Sequence, residues 1–494
     1  MSPSKRPIRF LHRGAVVEAD PAAATRSVLE WLREDARCSG TKEGCAEGDC
    51  GACTVVVGEL DAAGKLLLKP VNACIQFLPT LDGKALFAVE DLTAADGKLH
   101  PAQQAMVECH GSQCGFCTPG FVMSLWACYQ RHQAAGTQPS RQQLADDLSG
   151  NLCRCTGYRP ILDAGQRMFS IAPAVPLIHA PIVTALKSLQ SDPPLQAEGT
   201  FHAPRTLTEF AALRHAKPQA QLLAGSTDIG LWVTKQFREL GELIYIGEVN
   251  ELRQIALSEL LITIGAAASL ENAWQALVAE WPTLRDVWLR FASLAIRQAG
   301  TMGGNVANGS PIGDSAPVLM ALGAQLVLRQ GERVRRMPID DFYLDYMRND
   351  LQPGEFLQAI EVPRDGGRAQ AVRVYKISKR FDCDISALCA ALAIELDGDR
   401  VIAVRLAFGG MAATVRRAAR AEAVLVGQRW TEASLQAATE ALAQDFKPLS
   451  DMRASAAYRM QVAQNLLRRF WLETRTENAF SESQVSVWAR EVSA

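Results

Sequence analysis

The sequence lacks any apolar run of about eighteen residues or more, the length that a membrane-spanning helix requires. It also lacks an excess of charge, since 51 Lys and Arg stand against 53 Asp and Glu, and a nucleic-acid-binding protein would be expected to show a basic excess. The N-terminus begins with basic residues but has no apolar stretch of the kind found in a signal peptide. We therefore expect a soluble cytoplasmic protein with no membrane partner and no nucleic-acid partner.

A glycine motif of the form G-x-G-x-x-G is also missing, so nothing in the sequence supports a Rossmann dinucleotide-binding domain. The composition that is present is ordinary for a globular protein, with 48% hydrophobic and 21% charged residues. That balance excludes wholesale disorder. At about 100–200 residues per domain, a chain of 494 residues predicts three or four domains.

Cysteine is unevenly distributed along the chain. Eleven of the 13 cysteines lie between Cys38 and Cys155, and the other two are Cys383 and Cys389. Because a reducing cytosol disfavours structural disulfides, this clustering indicates metal or redox chemistry in the first third of the chain.

The first group of cysteines has the spacing C-x4-C-x2-C, with a fourth cysteine about twenty residues later, which is the plant-type [2Fe–2S] pattern. Its members are Cys45, Cys50, Cys53 and Cys74. Gly44, Gly48 and Gly51 permit a tight loop in which amide N–H groups approach the sulfurs. A zinc site is the alternative, although zinc loops usually show two close pairs of ligands.

The second group consists of two close pairs, Cys114 with Cys117 and Cys153 with Cys155. Each pair precedes a predicted helix, whose N-terminus favours thiolate ligands. Taken alone, these pairs fit zinc and an iron–sulfur cluster equally, but beside the first group they indicate a second [2Fe–2S] cluster. The remaining cysteines are expected to be small buried apolar residues: Cys38, Cys109, Cys128, Cys383 and Cys389.

Local patterns predict several elements. Ile8–Leu11 and Ala15–Glu18 flank a turn and predict a hairpin. Thr25 and Ser140 are predicted to cap helices, and Pro119 is predicted to begin a helix that runs to Gln130. Five prolines in residues 171–197 (Pro173, Pro176, Pro181, Pro193 and Pro194) predict a linker between domains.

Three segments together resemble the iron–sulfur portion of the xanthine dehydrogenase and aldehyde oxidase family of molybdenum hydroxylases: TKEGCAEGDCGACTV, QCGFCTPGF and GNLCRCTGYRPI. In that family each cysteine quartet holds one [2Fe–2S] cluster, and all eight ligand positions are filled here. The resemblance implies an α+β multidomain chain with a β-grasp ferredoxin-like domain (1–90) and a four-helix [2Fe–2S] domain (91–170). After the linker, a vanillyl-alcohol-oxidase-type FAD domain (198–371) and an α+β C-terminal extension of the flavin domain (372–484) are implied.

Two further segments, LLAGSTDIG and IRQAGTMGGNVANGSPIGD, contain glycine turns with hydroxylated or other polar residues. Such a turn can aim N–H groups at a pyrophosphate, although it is more often only structural. Both segments resemble FAD-binding segments of the same family. The FAD contacts that the resemblance implies are Leu222, Leu223, Ala224, Gly225, Ser226, Thr227, Asp228, Ile229, Phe291, Thr301, Met302, Gly303, Gly304, Asn305, Asp314, Leu357 and Lys376.

Two of these positions have ordinary alternatives. Phe291 would cover part of the isoalloxazine ring or be a core aromatic, and Leu357 could equally be an ordinary strand residue. Lys376 begins the stretch KISKRFDCDIS, which resembles the family's loop beside the flavin. Because Cys383 stands between two aspartates in that loop, the sequence leaves open whether NAD+ or oxygen is the preferred acceptor.

The order of the segments resembles that of the small subunit of bacterial two-subunit xanthine dehydrogenases. The resemblance implies that no catalytic residue lies in this chain. Hypoxanthine and xanthine would be oxidised to urate at molybdopterin on a large partner subunit, in a heterotetramer of two small and two large subunits. Electrons would pass through two [2Fe–2S] clusters to FAD and on to NAD+. Two alternatives remain: the same relay in a hydroxylase of aldehydes, aromatic heterocycles or carbon monoxide, and a zinc-binding assembly subunit.

Overall fold

The computed structural model describes residues 6–94, 96–172, 177–364 and 370–485. It contains two compact units. The first unit comprises Met1–Arg253, Ser269–Asn272 and Ala292–Thr301, and the second comprises Gln254–Ala268, Ala273–Phe291 and Met302–Ala494. The range 198–371, predicted to be one FAD domain, is therefore divided between the two units. Of the predicted linker prolines, Pro173 and Pro176 lie outside the described residues.

The N-terminal region consists of β1 (Ile8–His12), β2 (Ala15–Ala19), α1 (Val28–Glu34), β3 (Thr54–Leu60), β4 (Leu66–Asn72) and β5 (Ala85–Phe87). The strands form one sheet in the order β2-β1-β5-β3-β4, with β1 and β5 parallel. The predicted hairpin is confirmed, and both residues of its turn, Arg13 and Gly14, have positive φ. The predicted N-cap Thr25 is wrong. Ser27 caps α1, because its hydroxyl accepts from the N–H of Glu30 while the Glu30 carboxylate accepts from the N–H of Ser27.

Four helices follow: α2 (Pro101–Glu108), α3 (Thr118–Ala135), α4 (Arg141–Leu148) and α5 (Arg159–Arg167). They enclose an apolar core of their own, as the predicted four-helix domain requires. Ser140 caps α4 as predicted. Pro119 lies in the first turn of α3, which continues beyond the predicted end at Gln130 until Gly136 adopts a left-handed conformation.

The segment predicted to be a linker, 171–197, contains the helix α6 (His179–Gln190). Leu186 and Leu189 of α6 are buried against the N-terminal sheet. A linker is predicted here from the sequence because the five prolines are evidence against a helix. Pro181 lies in the first turn, where a missing N–H removes no intrahelical hydrogen bond.

The rest of the first unit begins with β6 (Gln196–Ala197), β7 (Phe201–His202), α7 (Leu207–Ala216), β8 (Gln221–Leu223), α8 (Ile229–Thr234) and β9 (Leu243–Tyr245). These strands form a sheet in the order β6-β7-β9-β8, in which β7, β9 and β8 are parallel. Phe201, Leu223 and Leu243 belong to the same hydrophobic core as Phe10 and Phe77 of the N-terminal region. The two sheets therefore share one core.

The elements that follow in the chain are β10 (Ile255–Leu257), β11 (Leu261–Gly265), α9 (Leu270–Glu280), α10 (Arg285–Arg290), α11 (Leu294–Ala299), α12 (Met302–Asn308), α13 (Ser315–Ala321), β12 (Gln325–Gln330), β13 (Arg333–Pro338), β14 (Tyr343–Asp345), β15 (Arg348–Asn349) and β16 (Phe356–Pro363). In the second unit, five of these strands form an antiparallel sheet in the order β10-β11-β16-β12-β13.

The C-terminal region contains β17 (Gln370–Ile377), β18 (Leu388–Asp397), β19 (Arg400–Gly409), β20 (Arg416–Arg417), α14 (Ala419–Leu425), α15 (Glu432–Asp445), α16 (Ala456–Thr474) and α17 (Glu482–Val485). Its four strands form an antiparallel sheet in chain order. Leu392 and Leu406 of the sheet share a core with Phe470 of α16. The predicted α+β multidomain class is confirmed. None of the helices in the described ranges is both long and apolar enough to cross a membrane.

Candidate functional site

The first cysteine group lies in and beside the loop that precedes β3. The Sγ atoms of Cys53 and Cys74 are 3.2 Å apart, and the main-chain N–H of Cys50 donates to the Cys45 Sγ at 3.4 Å. Cys53 and Cys74 are buried, whereas Cys45 and Cys50 are half-buried. Hydrogen bonds from Cys50 and Cys74 lower the pKa of the Cys45 thiol, and a thiolate is the form that binds metal.

Glycines shape this loop in the way its sequence predicts. Gly48 and Gly51 have φ values of 76° and 68°, a region that residues with a Cβ rarely adopt. Gly44 serves a different purpose, because a Cβ there would lie 2.9 Å from the Cys50 Sγ. The loop therefore depends on these glycines to bring its sulfurs together.

The second cysteine group connects the start of α3 with the segment before α5. Side-chain hydrogen bonds join Cys117 to Cys153 and Cys114 to Cys155. Thr156 donates its main-chain N–H at 3.4 Å and its hydroxyl at 3.2 Å to the Cys153 Sγ. Burial raises the pKa of Cys117 to about 12. At Cys153 the effect of burial is outweighed by the hydrogen bonds from Thr156, which lower the pKa of that thiol.

In the first group Cys45 is hydrogen-bonded to both Cys50 and Cys74, whereas the second group presents its sulfurs in two pairs. In the described ranges, no three or more His, Cys, Asp or Glu side chains are arranged to hold a single metal ion. Each iron of a [2Fe–2S] cluster takes two protein ligands. Paired thiols with amide and hydroxyl donors directed at their sulfurs fit that group, since such donors stabilise an anionic cluster.

The main chains of the two groups are in direct contact. The N–H of Leu152 donates to the carbonyl oxygen of Cys50 at 3.0 Å. The buried side chain of Asn151 donates to the carbonyl of Gly51 at 3.0 Å and accepts from the Ser124 hydroxyl at 2.7 Å. Sequence interpretation missed Asn151, which precedes Cys153 by two residues and joins this part of the second group to the first.

The first cysteine group also touches the segment that carries the first candidate FAD turn. The Thr234 hydroxyl in α8 donates to the carbonyl of Ala46 at 2.7 Å. A Cβ at Gly230 would lie 2.6 Å from the carbonyl oxygen of Ile75, the residue that follows Cys74. The helix after the candidate turn therefore packs against both ends of the first cysteine group.

The candidate FAD contacts Leu222–Ile229 run from β8 through a turn into α8. Ser226 is buried with a φ of 62°, and its Oγ has no hydrogen-bond partner among the described residues. A strained residue with an orphaned buried hydroxyl is typical of a ligand site. Gly225 has another role, because a Cβ there would lie 2.0 Å from the carbonyl oxygen of Ala299. It permits close packing against the segment that leads into Thr301.

In the second unit, Met302–Asn305 form the first turn of α12. Gly303 is required by packing, since a Cβ there would lie 2.5 Å from Ala266. The Oδ1 of Asn305 and the Oγ of Ser315 are buried without partners among the described residues. Gly313 has room for a side chain, with its nearest neighbours at 3.5 Å or more. These orphaned polar atoms fit a polar ligand such as the ribityl or phosphate part of FAD.

Asp314 and Lys376 form a buried ion pair in the second unit. The Lys376 Nζ lies 2.6 Å from the Asp314 Oδ2, and both side chains contact the Ser386 hydroxyl. The structure therefore brings two of the predicted FAD contacts together with Ser386, which ends the KISKRFDCDIS stretch and was not among the predicted contacts.

Phe291 and Leu357 occupy core positions. The Phe291 ring lies 5.9 Å from that of Trp274, and Leu357 pairs with Leu328 in the centre of its sheet. Arg290, which precedes Phe291, donates to the carbonyl of Lys376 at 3.1 Å. It thereby connects the Phe291 segment with the start of the KISKRFDCDIS loop.

The cysteines outside the two groups largely behave as predicted. Cys38, Cys128, Cys383 and Cys389 are buried, and Cys109 is half-buried. Burial raises the pKa of Cys128 and of Cys389, so these thiols are held in their neutral form.

Three family models match the chain. The [2Fe-2S] binding domain matches residues 88–166, the FAD binding domain in molybdopterin dehydrogenase matches 195–365, and the CO dehydrogenase flavoprotein C-terminal domain matches 373–474. The chain is similar to xanthine dehydrogenase of Emericella nidulans, with 32% identity covering 94% of this chain and 38% of that protein. It is similar to aldehyde oxidase 2 of Macaca fascicularis at 29% identity, covering 91% of this chain and 38% of that protein.

Among solved structures, the chain resembles one from carbon monoxide dehydrogenase of Hydrogenophaga pseudoflava. The identity is 27%, the TM-score is 0.52, and the match covers 60% of this chain and 99% of the other. The chain spans about two fifths of the length of the curated relatives that it matches.

Proposed function

This chain belongs to the molybdenum hydroxylase family as an iron–sulfur and FAD electron-transfer module, and on that basis we propose that it serves a xanthine dehydrogenase. In this proposal hypoxanthine and xanthine are oxidised to urate at a molybdopterin centre on a separate large subunit. This chain carries the electrons through two [2Fe–2S] clusters and FAD to NAD+. Two small and two large subunits would form the enzyme, in the cytoplasm.

The observation that carries the relay is the contact between successive candidate sites in the first unit. Leu152, next to Cys153, is hydrogen-bonded to Cys50, and Ala46, next to Cys45, is hydrogen-bonded to Thr234. The second cysteine group, the first group and the helix after the FAD turn therefore follow one another through direct contacts. Such a succession supports transfer in series, from the second group to the first and then to the flavin.

The eight cysteines are proposed to hold the clusters as four pairs of ligands. Cys45 and Cys50 would share one iron and Cys53 and Cys74 the other. In the second group the pairs would be Cys114 with Cys155 and Cys117 with Cys153. When bound, the clusters supply one-electron transfer and the flavin supplies hydride exchange with NAD+. The protein's own contribution is to hold the sulfurs and to direct hydrogen-bond donors at them.

The exposure of the two groups supports a direction for the relay. Cys114 and Cys155 are exposed, whereas Cys53 and Cys74 are buried. Phe116 and Tyr158, close to the second group in the chain, are also exposed, at 46% and 40%. Exposed aromatics are enriched where proteins associate, so the second group is proposed to face the molybdenum-containing partner.

FAD is proposed to contact the residues that the sequence predicts. In the first unit these are Leu222–Ile229 and Thr301, where the Ser226 hydroxyl has no partner among the described residues. In the second unit they are Met302–Asn305, Asp314, Lys376, Phe291 and Leu357, where the Asn305 Oδ1 is likewise orphaned.

A xanthine dehydrogenase is favoured over an aldehyde oxidase by sequence identity, and over a carbon monoxide dehydrogenase by the extent of the match. The xanthine dehydrogenase of Emericella nidulans is 32% identical and matches 94% of this chain. The carbon monoxide dehydrogenase structure matches 60% of this chain with 99% of its own. Aldehyde oxidase 2 matches 91% of the chain at slightly lower identity, so aldehyde oxidation is the second candidate.

The test compares two activities of the purified chain, alone and with its molybdenum-containing partner. The chain alone should show iron–sulfur and flavin absorption and should pass electrons from NADH to an artificial dye, but it should not oxidise xanthine. Adding the partner should produce xanthine-dependent NAD+ reduction. A colourless zinc protein would exclude the relay. An active complex that oxidises aldehydes but not xanthine would establish the second candidate.

A further inference from the structure

Asp314, Lys376 and Ser386 form a closed ring of hydrogen bonds in the second unit. The Lys376 ammonium donates to the Asp314 Oδ2 at 2.6 Å and to the Ser386 Oγ at 2.8 Å. The Ser386 hydroxyl donates to the Asp314 Oδ1 at 2.6 Å. All three residues are at least 95% buried, so these bonds act where water screens charge poorly.

The ring satisfies both oxygens of the Asp314 carboxylate but only part of the donor capacity of the Lys376 ammonium. Both oxygens of the Asp314 carboxylate have a donor, one from Lys376 and one from Ser386. An ammonium has three N–H donors, and two of those of Lys376 are used in the ring. In the described part of the chain, no protein group takes the third. Lys376 therefore retains a donor for a ligand.

We propose that Ser386 is a positioning residue of the flavin site. Its hydroxyl donates a hydrogen bond to one oxygen of the Asp314 carboxylate, so Lys376 has to donate only to the other oxygen. The Lys376 ammonium therefore keeps its third N–H for FAD. The inference rests on the proposed FAD contacts of Asp314 and Lys376. It adds a residue that lies ten positions beyond Lys376 and touches the flavin only through that lysine.

The position of Ser386 is fixed by the main chain that follows it. The N–H of Ala387 donates to the carbonyl of Ile377 at 2.8 Å, which closes the hairpin just before β18. The buried Arg459 of α16 donates to the carbonyls of Ala387 and Gly410 and is held by Asp451 at 2.7 Å. These hydrogen bonds hold the main chain at Ala387 in place, and the Ser386 hydroxyl is therefore fixed in position.

Removal of this hydroxyl has an expected direction. In Ser386→Ala the Asp314 Oδ1 would lose its donor and the Lys376 Nζ would lose one acceptor, so the ammonium would be drawn towards the carboxylate and away from FAD. Less positive potential would then be available to FAD, and the reduced flavin, which carries more negative charge, would lose more stabilisation than the oxidised flavin. The flavin midpoint potential should become more negative. FAD should also bind about tenfold more weakly, the loss expected for one hydrogen bond to a charged group.

The test uses the full-length chain with Ser386→Ala, Ser386→Thr and Thr283→Val. Thr283→Val is the matched control, because it removes one hydroxyl hydrogen bond, to the carbonyl of Val372 at the other end of β17. The readouts are the FAD dissociation constant, the flavin midpoint potential and the iron content. Ser386→Ala should shift the first two and leave iron unchanged, Ser386→Thr should restore both, and the control should match wild type.

The outcomes distinguish a failure of the proposed role of Ser386 from a failure of the proposed function. A wild-type potential and a wild-type FAD affinity in Ser386→Ala would overturn the role of Ser386 and leave the flavin site intact. A wild-type chain that binds no FAD would instead overturn the proposed function. If Ser386→Ala does not fold, Ser386→Cys, with a weaker donor in nearly the same volume, should show the same shifts. Wild-type values in that variant would overturn the role.

Discussion

The main-chain N–H of Leu152 donates a hydrogen bond of 3.0 Å to the carbonyl oxygen of Cys50. This single bond joins the residue before Cys153 to a cysteine of the first group. It holds Cys50 and Cys153, about a hundred residues apart in the chain, in adjacent loops of one compact unit. The proposed electron path is built on this contact.

The two cysteine groups should be separable by mutation. Each [2Fe–2S] cluster takes four cysteines, so two quartets imply four iron and four acid-labile sulfide per chain. Cys50→Ser should reduce the iron content to about half and remove one of two electron paramagnetic resonance signals of the reduced protein. Cys155→Ser should remove the other signal. Cys128→Ser is the control, and it should retain all of the iron. Loss of both signals in either ligand variant, with FAD retained, would argue against two separate clusters.

Asn151 should contribute to stability through contacts and not through metal binding. Asn151→Leu would leave the hydroxyl of Ser124 without its buried acceptor, whereas the carbonyl of Gly51 would keep its hydrogen bonds from Thr54. At about 1–3 kcal/mol for an unsatisfied buried group, the free energy of unfolding should fall by about 1–3 kcal/mol. Chemical denaturation measures this change, and Ser124→Ala, which leaves the Asn151 Oδ1 without its donor, should lower the free energy of unfolding by a similar amount. An Asn151→Leu chain as stable as wild type would show that the contact is dispensable.

Two glycines in the candidate flavin segments should respond differently to alanine. Gly225→Ala would place a methyl group 2.0 Å from a carbonyl oxygen of the protein, whereas Gly313→Ala would meet nothing closer than 3.5 Å. Gly225→Ala should therefore misfold or lose thermal stability. Gly313→Ala should fold with full iron content but retain less FAD, because its methyl group would enter the space beside Asn305. Thermal melting and cofactor analysis distinguish these results, and full FAD occupancy in Gly313→Ala would place the flavin elsewhere.

His100 should make stability depend on pH. Burial lowers the pKa of this imidazole to about 4 from an ordinary value of 6.5, and its Nδ1 accepts from the N–H of Ala102 at the start of α2. The unfolded chain therefore binds a proton at mildly acidic pH that the folded chain does not. Stability is fully present above pH 6.5 and declines as the pH falls towards 4, by about 2 kcal/mol between pH 7.5 and pH 5.

The variant His100→Asn keeps a capping acceptor at this position but removes the titration. Its unfolding free energy should lose about 2 kcal/mol less than that of wild type over the same interval. Equal slopes for the two proteins would contradict a role for His100.

Features set by neighbouring residues were accessible from the sequence. The hairpin turn at Arg13 and Gly14, the cap at Ser140 and the cysteine spacing each depend on a few consecutive positions. The local pattern did not decide between two neighbouring candidates for the N-cap of α1. Thr25 and Ser27 are both suitable caps, and only Ser27 has a glutamate three residues later to complete a capping box.

Contacts between distant segments could not be predicted. Ser386 meets Asp314 across 72 positions and Asn151 meets Gly51 across 100, and no local pattern marks either pair. The glycine motifs illustrate the same limit. A sequence shows that Gly225 has no Cβ, but the fold decides whether the vacant volume is filled by a ligand or, as here, by the chain's own backbone.

The most direct test of the relay is the rate at which NADH reduces each cluster in the isolated full-length chain, followed by stopped-flow absorption and rapid-freeze electron paramagnetic resonance. In wild type both clusters should be reduced after the flavin. In Cys155→Ser the remaining first cluster should be reduced at the wild-type rate. In Cys50→Ser, with FAD content confirmed, the remaining second cluster should stay oxidised on that timescale, because its contact with the flavin segment runs through the first group. Reduction of the second cluster at the wild-type rate in Cys50→Ser would contradict transfer in series.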